Sequence, residues 1–526
     1  MVDGKVEERV DGGPVGLVSL LGAGPGDPEL ITLRALRRLA CADVILYDAL
    51  VHPNLLAHAK SGAELIFVGK RAGRASERQS SINARLIEAA RRGGRVVRLK
   101  GGDPYLFGRG SEEAEALVAA GIPFEVVPGV ASPMAASAYT GISLTHRDLA
   151  SSVAYVTATE SVEKDESAHD WSKLASATQT IVFFMGLRKL DSLMERLIEH
   201  GRAPDTPAAV VSNASLPTQR TVTGTLRTIG QRVREANLEM PALTIVGAVV
   251  SLHEPLRWFE RLPLFGKRVL ITRPKGQSDE MAQALRDLGA DPLELPTVEI
   301  RPPSDPELLA AHVKRAGEYD WAVFTSVNGV ASFFATCARE QLDTRVLGGV
   351  KVAAIGPATS AALALHGVRA DVVPSEYRGE AVADAIRACD GELTHKRILI
   401  TRAEVAREVM PRMLRDAGAR VDVVPAYRTL AASPERFAQI RGLLARGAID
   451  IIAFTSSSTV ERLVEGLGDG AAELLRRTQV AAIGPITAET AARLGLPAQV
   501  VAQEYTAQGV VQALVEHALR TAAGRA

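Results

Sequence analysis

The sequence predicts an α/β protein built from two successive halves, and three observations carry that expectation. From Val15 onward, short apolar runs alternate with helical stretches, the βαβ rhythm of a parallel sheet. After about Ala150, strands follow one another with fewer helices between them, which predicts a second, mixed α+β lobe. Beyond LRWFERLPLFGKRVLITRP the chain repeats itself: KRVLITRP is echoed by KRILITRA, AVFTSVNGV by IAFTSSSTV, and VAAIGPAT by VAAIGPIT. The spacing is 129 residues between Arg273 and Arg402, 130 between Ser326 and Ser456, and 128 between Gly356 and Gly484. Three near-equal spacings imply two duplicated parallel α/β lobes of flavodoxin type.

Composition agrees. The 526 residues suit two to four domains. Hydrophobic residues at 47% and charged residues at 23% exclude a mainly disordered chain, a collagen or a coiled coil. Lys plus Arg and Asp plus Glu each number 61, so no net charge draws the chain to nucleic acid or to an acidic membrane. Anionic ligands then need local clusters of Arg and Lys. Aromatic residues at 4% argue against stacking platforms for single strands. Cys41, Cys337 and Cys389 make neither a disulfide framework nor a zinc spacing; they fit a reducing cytoplasm, and no metal site is expected. The opening MVDGKVEERVDGG is charged and lacks an apolar core, so it reads as a disordered arm over 1–14 rather than a signal peptide. No apolar run reaches the ~18 residues of a membrane span.

In chain order, GLVSLLGAG is a strand entering a glycine turn, PELITLRALRRLACA has helical spacing, and DVILYDALV is a second strand. RVVRLKGGD enters another glycine turn, SEEAEALVAAG is a helix closed by Gly121, and PFEVVPGV is a strand. SVAYVTATE, TIVFFMG, AAVVSNAS, TVTGTL and ALTIVGAVVSL are the strands of the next lobe. A short linker over 260–265 leads to the repeats. Their YDWAVF and IDIIAF strands are apolar throughout, as in a parallel sheet covered on both faces.

LGAGPGDPEL places Gly22, Gly24 and Gly26 between a strand and a helix, where a ligand can approach backbone N–H groups. Asp27 can cap that helix and Pro28 suits its first turn. Alone, this turn also fits a dinucleotide site with Asp48 as the ribose acid, although its G-x-G-x-G spacing with Pro25 departs from G-x-G-x-x-G. The second turn, RLKGGDPYLFGRGSEEAEAL from Arg98 to Leu117, is more specific. With it, and with VGKRAG, PFEVVPGVAS, AYTGISLTHR, RTVTGTL and PALTIVGAVV, residues 15–259 resemble the uroporphyrinogen-III C-methyltransferases of the tetrapyrrole methylase family. The dinucleotide reading then falls away.

The resemblance implies two lobes, about 15–150 and 151–259, with S-adenosylmethionine in the cleft between them, and a homodimer formed through this half. It places cofactor contacts on Pro25, Gly101, Gly102, Asp103, Leu106, Ala131, Ser132, Met185, Ala214 and Ala242, and an acid/base pair on Asp48 and Lys70. The chemistry suits these residues. A sulfonium methyl is already electrophilic and a pyrrole carbon is electron-rich, so the work is alignment and removal of a pyrrole N–H proton. Read as residues alone, Asp48 equally suits a turn cap, and Lys70 a substrate carboxylate. A substrate with many carboxylates calls for a basic entrance, for which Arg71, Arg98 and Arg109 are placed in sequence. Arg74 and Arg78 read as solvated charges, and His146 as a hydrogen-bonded core residue. Three strings depart from the family pattern: VTATE (156–160) where VTGH is usual, Ala214 where Gly is usual, and Pro133 in place of a small residue.

The repeated ITR, FTS and AIGP strings, with AYRT and LPAQVVAQEYTAQGVVQAL, resemble uroporphyrinogen-III synthase over 266–519. The resemblance implies lobes that cross the repeat boundary: one from about 266–296 plus 430–519, the other from about 301–425. PTVEI and AYRT would join them as a two-stranded connector, with 520–526 as a tail. FTSVNG and FTSSST end apolar strands with hydroxyls and backbone N–H groups at a helix start. Thr325, Ser326, Asn328, Thr455, Ser456 and Ser457, with Gly356 and Gly484 of the AIGP loops and with Arg273 and Arg402, are therefore candidates to hold substrate carboxylates. Ordinary helix capping is the competing reading for each Ser or Thr. Tyr427 in PAYRT matches a tyrosine proposed to help hydroxyl departure, and equally reads as a packed residue.

Together the halves predict a cytoplasmic, bifunctional enzyme. One half closes hydroxymethylbilane to uroporphyrinogen III with inversion of ring D. The other methylates that product at C2 and C7, through precorrin-1 to precorrin-2. No nucleic-acid or membrane partner is expected. The alternative is a methylase of a later corrin intermediate followed by a non-catalytic two-lobed ligand-binding module.

Overall fold

The computed structural model describes residues 16–69, 78–158, 169–273 and 278–524. They form two compact units, one up to Lys267 together with Leu285–Asp291, the other Arg268–Ala284 with Pro292 onward.

The first unit begins with β1 (Leu17–Gly22), β2 (Val44–Tyr47), β3 (Glu64–Phe67), β4 (Arg95–Lys100) and β5 (Phe124–Val127), in the order β3-β2-β4-β1-β5. All their pairings are parallel. Successive residues alternate between two buried faces: Leu20 and Val96 pack with Leu86 on one side, Leu21 and Val97 with Leu39 on the other. PELITLRALRRLACA is not one helix, as its spacing suggests. Asp27 caps a single 3-10 turn, Pro28–Leu30. Thr32 then accepts a hydrogen bond from Ala35 N and starts the helix Leu33–Ala40.

The second lobe of this unit contains β6 (Val153–Thr157), β7 (Thr180–Phe184), β8 (Pro207–Ser212), β9 (Arg220–Thr225) and β10 (Ala242–Val246), ordered β6-β7-β10-β8-β9. Only β6 and β7 run parallel; the other pairings are antiparallel. The expected linker over 260–265 is instead part of this unit. Phe259 is buried and its ring packs edge-on against Tyr139 at 4.8 Å. Glu260 accepts hydrogen bonds from Gln219 and Thr221, and Leu264 is buried. Apolar Phe259, Leu264 and the paired acid tie the segment down, so the compact unit runs on to Lys267.

The second unit contains β11 (Arg268–Ile271), β12 (Asp291–Glu294), β13 (Val298–Arg301), β14 (Trp321–Phe324), β15 (Lys351–Ala354), β16 (Arg397–Ala403), β17 (Arg420–Ala431), β18 (Ile451–Phe454), β19 (Gln479–Ala482) and β20 (Val500–Val501). One sheet is β12-β11-β18-β19-β20 and the other β13-β17-β16-β14-β15. The ITR strand of the first repeat, β11, pairs with the FTS strand of the second, β18. The ITR strand of the second repeat, β16, pairs with the FTS strand of the first, β14. The repeat is thus a unit of sequence, and each sheet draws strands from both copies. β17 pairs parallel with β16, and its far end, Arg428–Ala431, pairs antiparallel with β13. The last helix, Ala507–Ala523, runs through most of the expected 520–526 tail. Strong helix formers such as Ala522 and Ala523 carry it on until Gly524.

Candidate functional site

In the first unit β4, β1 and β5 lie side by side, so the loops leaving their C-terminal ends must meet. They meet backbone to backbone. Gly24 and Gly102, both with positive φ, exchange hydrogen bonds, Gly102 N donating to Gly24 O at 2.7 Å. A Cβ on Gly22 would lie 2.5 Å from Gly129 Cα and 2.7 Å from Gly102 O. Asp103 locks the arrangement: one carboxylate oxygen accepts from Tyr105 N and Leu106 N, the other from Gly129 N at 3.0 Å. Its carboxylate therefore works on the loops themselves. Ser132, which follows Ala131 at a helix start, sets its Oγ 3.5 Å from where a Gly102 Cβ would stand.

The second lobe completes the surround. Gly26, next to Pro25, is close enough that a Cβ there would lie 2.9 Å from the Ala214 carbonyl oxygen. Asp27 N donates to Ser215 Oγ at 3.1 Å, and Tyr139 donates to Asp27 at 3.0 Å. Burial and the Asp27 carboxylate raise the Tyr139 pKa, keeping the phenol protonated to donate. Ala242 pairs with Ser212, one residue before Asn213. Met185, at φ +56, follows Phe184, whose ring lies 4.7 Å from that of Phe107 in the glycine loop. Pro25, Gly101, Gly102, Asp103, Leu106, Ala131, Ser132 and Ala214 thus sit on adjoining loops. Two of the departures, Ala214 and Pro133, are accommodated. Asn213 and Ser215 have positive φ but Ala214 does not, so alanine meets no backbone strain there. Pro133 occupies the first turn of its helix, where no N–H is required.

Asp48 follows β2, and its carboxylate accepts from Leu50 N at 3.0 Å. A Gly101 Cβ would stand 2.6 Å from Leu50 Cβ, which sets the Asp48 turn against the second glycine loop. Arg98 lies 3.6 Å from Asp48 and corrects an expectation. It is 3% exposed and gives no entrance for carboxylates. Its strand is central and covered on both faces, so Arg98 and Lys100 point inward to Glu113, at 3.1 and 3.0 Å. Burial and neighbouring Arg98 lower the Lys100 pKa. Gln79 also donates to the same Glu113 oxygen; the other oxygen is buried without a partner. The readable signal for this missed group was an alternating Arg-Leu-Lys followed by a helix with an acid on its inner face. Arg109, by contrast, is exposed and paired with Glu112, which raises its pKa. Lys70, Arg71 and Arg74, with the arm over 1–14 and Thr159–Glu160 of VTATE, lie outside the described residues.

In the second unit, the FTS loops follow β14 and β18. Ser326 caps the helix Val327–Arg339, accepting from Gly329 N at 3.0 Å, and donates to the Tyr427 hydroxyl at 3.0 Å. Tyr427 is 9% exposed, so it is a packed residue whose hydroxyl still reaches this loop. Thr325 donates to Thr401 O, and Asn328 lies in the first turn of the same helix. Ser456 caps the helix Ser457–Leu467 in the matching position; Thr455 precedes it, and Ser457 accepts from Thr490 at 2.9 Å. Ser326 and Ser456 are thus helix caps, as the competing reading for them holds. Gly356 and Gly484 start the helices Pro357–Leu365 and Pro485–Arg493 with extended φ, −171° and −179°, and no side-chain cap.

The two repeat arginines differ. Arg402 is 7% exposed, ion-paired with Glu408 and donating to Arg407 O at 2.8 Å, so it pins its own loop instead of presenting charge to a substrate. For Arg273, burial lowers the pKa, with Glu280 opposing. Among the described residues no group of three His, Cys, Asp or Glu could hold a metal ion, and no helix is long and apolar enough to cross a membrane.

Comparison with known proteins identifies both halves. The model for Tetrapyrrole (Corrin/Porphyrin) Methylases matches residues 17–230, and that for Uroporphyrinogen-III synthase HemD matches residues 279–512. A porphyrin biosynthesis protein HemD of Ruminiclostridium josui is 39% identical over 501 residues, covering 95% of this chain and 98% of its own. A uroporphyrinogen-III C-methyltransferase of Bacillus subtilis is 41% identical over 333 residues, 63% of this chain and 68% of its own. The solved uroporphyrin-III C-methyl transferase of Thermus thermophilus, complexed with S-adenyl homocysteine, shows 41% identity over 45% of this chain and 100% of that one, with a TM-score of 0.39. The chain therefore belongs to the tetrapyrrole methylases through its first half and to the HemD uroporphyrinogen-III synthases through its second.

Proposed function

We propose that this chain makes uroporphyrinogen III from hydroxymethylbilane with its second half and converts it to precorrin-2 with its first. The observation that carries the reading is the end-to-end union, in one chain, of a synthase family with a methylase family that takes the synthase's product. S-adenosylmethionine supplies an electrophilic methyl group. The glycine meeting point fits it at Gly102, where an added Cβ would meet nothing closer than Ser132 Oγ at 3.5 Å, so a ligand can come close to the loop backbone. Pro25, Gly101–Asp103, Leu106, Ala131, Ser132, Met185, Ala214 and Ala242 are the proposed holding residues, with Asp103 acting through loop geometry.

Asp48 takes the pyrrole N–H proton on its carboxylate, steadied by Arg98 at 3.6 Å. Lys70 is its proposed partner, and Arg71 and Arg109 meet substrate carboxylates. In the synthase half Arg273 and the backbone N–H groups of the FTS and AIGP loops hold the acetate and propionate arms. Tyr427, aligned by Ser326, donates a proton to the departing hydroxyl. The residual task is to fold the chain so that the last ring inverts before closure. The proposed methylase half runs from 15 to Lys267, where the first compact unit reaches, and the synthase half from Arg268 to 519. The proposed assembly is a cytoplasmic homodimer formed through the methylase half.

The test is a single reaction from hydroxymethylbilane with methyl donor, reading product mass and isomer. The expected product is type III and dimethylated. Type I product alone sinks the synthase assignment, and unmethylated type III product sinks the methylase assignment. Asp48→Asn is expected to slow methylation while leaving type III formation untouched; full methylation turnover removes Asp48 from its role.

A further inference from the structure

The 128-residue spacing of the AIGP glycines recurs further along each repeat. PSEYRGEAV is echoed by AQEYTAQGV, and Tyr377 and Tyr505 are separated by the same spacing as Gly356 and Gly484. In each lobe the tyrosine ring lies on the glycine that starts the AIGP helix. A Cβ on Gly356 would stand 3.1 Å from the Tyr377 ring, and one on Gly484 would stand 2.9 Å from the Tyr505 ring. Both glycines have extended φ, which any residue adopts. A side chain at either glycine would therefore have to push the ring away, while the backbone itself makes no demand for glycine. The chain has kept, twice, a side-chain-free seat for an aromatic ring.

Packing is a weak reason for such a seat. Tyr377 is 65% exposed and Tyr505 68%. A tyrosine that stabilises a core buries its ring and pairs its hydroxyl. These two keep most of their surface in water, at the C-terminal edge of the sheets that carry the FTS and AIGP loops. Each follows the last parallel strand segment of its lobe, Val372 beside Ala353 in one and β20 in the other.

We propose that Tyr377 and Tyr505 are substrate-binding residues of the synthase half, each offering a ring face to one pyrrole of the linear tetrapyrrole. The inference rests on the proposed synthase function and extends it. A pyrrole is flat, π-rich and fringed by carboxylates, so a ring platform beside carboxylate-binding loops matches one pyrrole unit. Two copies, one per lobe, match two units of one chain and would hold them while another ring turns over.

The experiment uses the full chain with Tyr377→Leu, Tyr505→Leu and the corresponding Phe variants. Leucine still covers the glycine but offers no ring face; phenylalanine keeps the ring. The readings are KM for hydroxymethylbilane, the ratio of type III to type I product, and Tm. Each Leu variant is expected to raise KM about threefold to tenfold, from the usual worth of one aromatic pair. It should also release type I product, with Tm near that of the parent chain and the Phe variants near normal in all three. Leu variants with parental KM and isomer ratio overturn the proposal. So do Phe variants as impaired as the Leu variants, or defects that track a fall in Tm. A parent chain that makes no type III product instead overturns the synthase function itself, so the two failures are distinct.

Discussion

Replacing Gly129 by alanine tests whether the glycine meeting point binds the methyl donor. The new Cβ would stand 2.8 Å from Gly22 Cα and 3.0 Å from Gly22 C, and closer still to Gly102 O. Ordinary contact begins at 3.4 Å, so the Gly22 contact alone requires a retreat of about 0.6 Å. Every atom met is backbone, so no side chain can swing aside. The retreat also pulls on the hydrogen bond from Gly129 N to Asp103, which holds the second loop. Overpacking of this kind costs about 1–3 kcal/mol, which is about 5-fold to 150-fold in affinity when the strain falls on the bound geometry. Calorimetric titration of the full chain with S-adenosylhomocysteine reads that loss directly. Type III product formation serves as the internal control, because the strained loops belong to the other unit. Unchanged affinity in a chain with normal synthase turnover would falsify the reasoning.

Three further outcomes follow from the packing. Glu113→Ala leaves Arg98 and Lys100 buried without their acid, and should cost the first unit about 3–5 kcal/mol; chemical denaturation showing a loss below about 1 kcal/mol contradicts the buried-pair account. Ser326→Ala removes both a helix cap and the hydrogen bond to Tyr427; a stability loss of about 0.5–2 kcal/mol should accompany slower type III formation, and a stability loss with normal turnover leaves Ser326 as a cap alone. Burial pushes the Cys337 thiol up to about 11, while Cys41 and Cys389 are exposed. The neutral thiol's contribution is complete below the ordinary value of 9.0 and is lost as pH rises through about 11. Labelling of the native protein at pH about 8 should therefore modify two thiols and spare Cys337 until denaturant is added; three equally fast thiols refute its burial.

Much of the machinery was legible in one dimension. Glycine in LGAGPGD and KGGD marks loops where a close approach to backbone is possible, which the structure shows as two loops meeting each other, and alternating strand and helix signals announce parallel sheets. The equal spacings of ITR, FTS and AIGP likewise reveal a duplication directly. Ser326 and Ser456 were correctly placed at helix starts, because a cap is a local arrangement of hydroxyl and N–H.

Partnership was decided by the tertiary structure. Arg98, Arg109, Arg273 and Arg402 look alike in sequence, yet Arg98 and Arg402 are themselves buried and are paired with Glu113 and Glu408. A charge's role depends on whether an opposite charge reaches it before solvent or substrate does, and that is set by residues distant in the chain or on the far side of a loop. The same holds for Asp27, which caps one short turn, accepts from Tyr139 and reaches the second lobe through Ser215. It holds for the repeats as well, whose strands pair across copies. Strand pairing rewards the neighbour that completes a buried sheet, and similarity between copies gives no preference for a strand's own repeat.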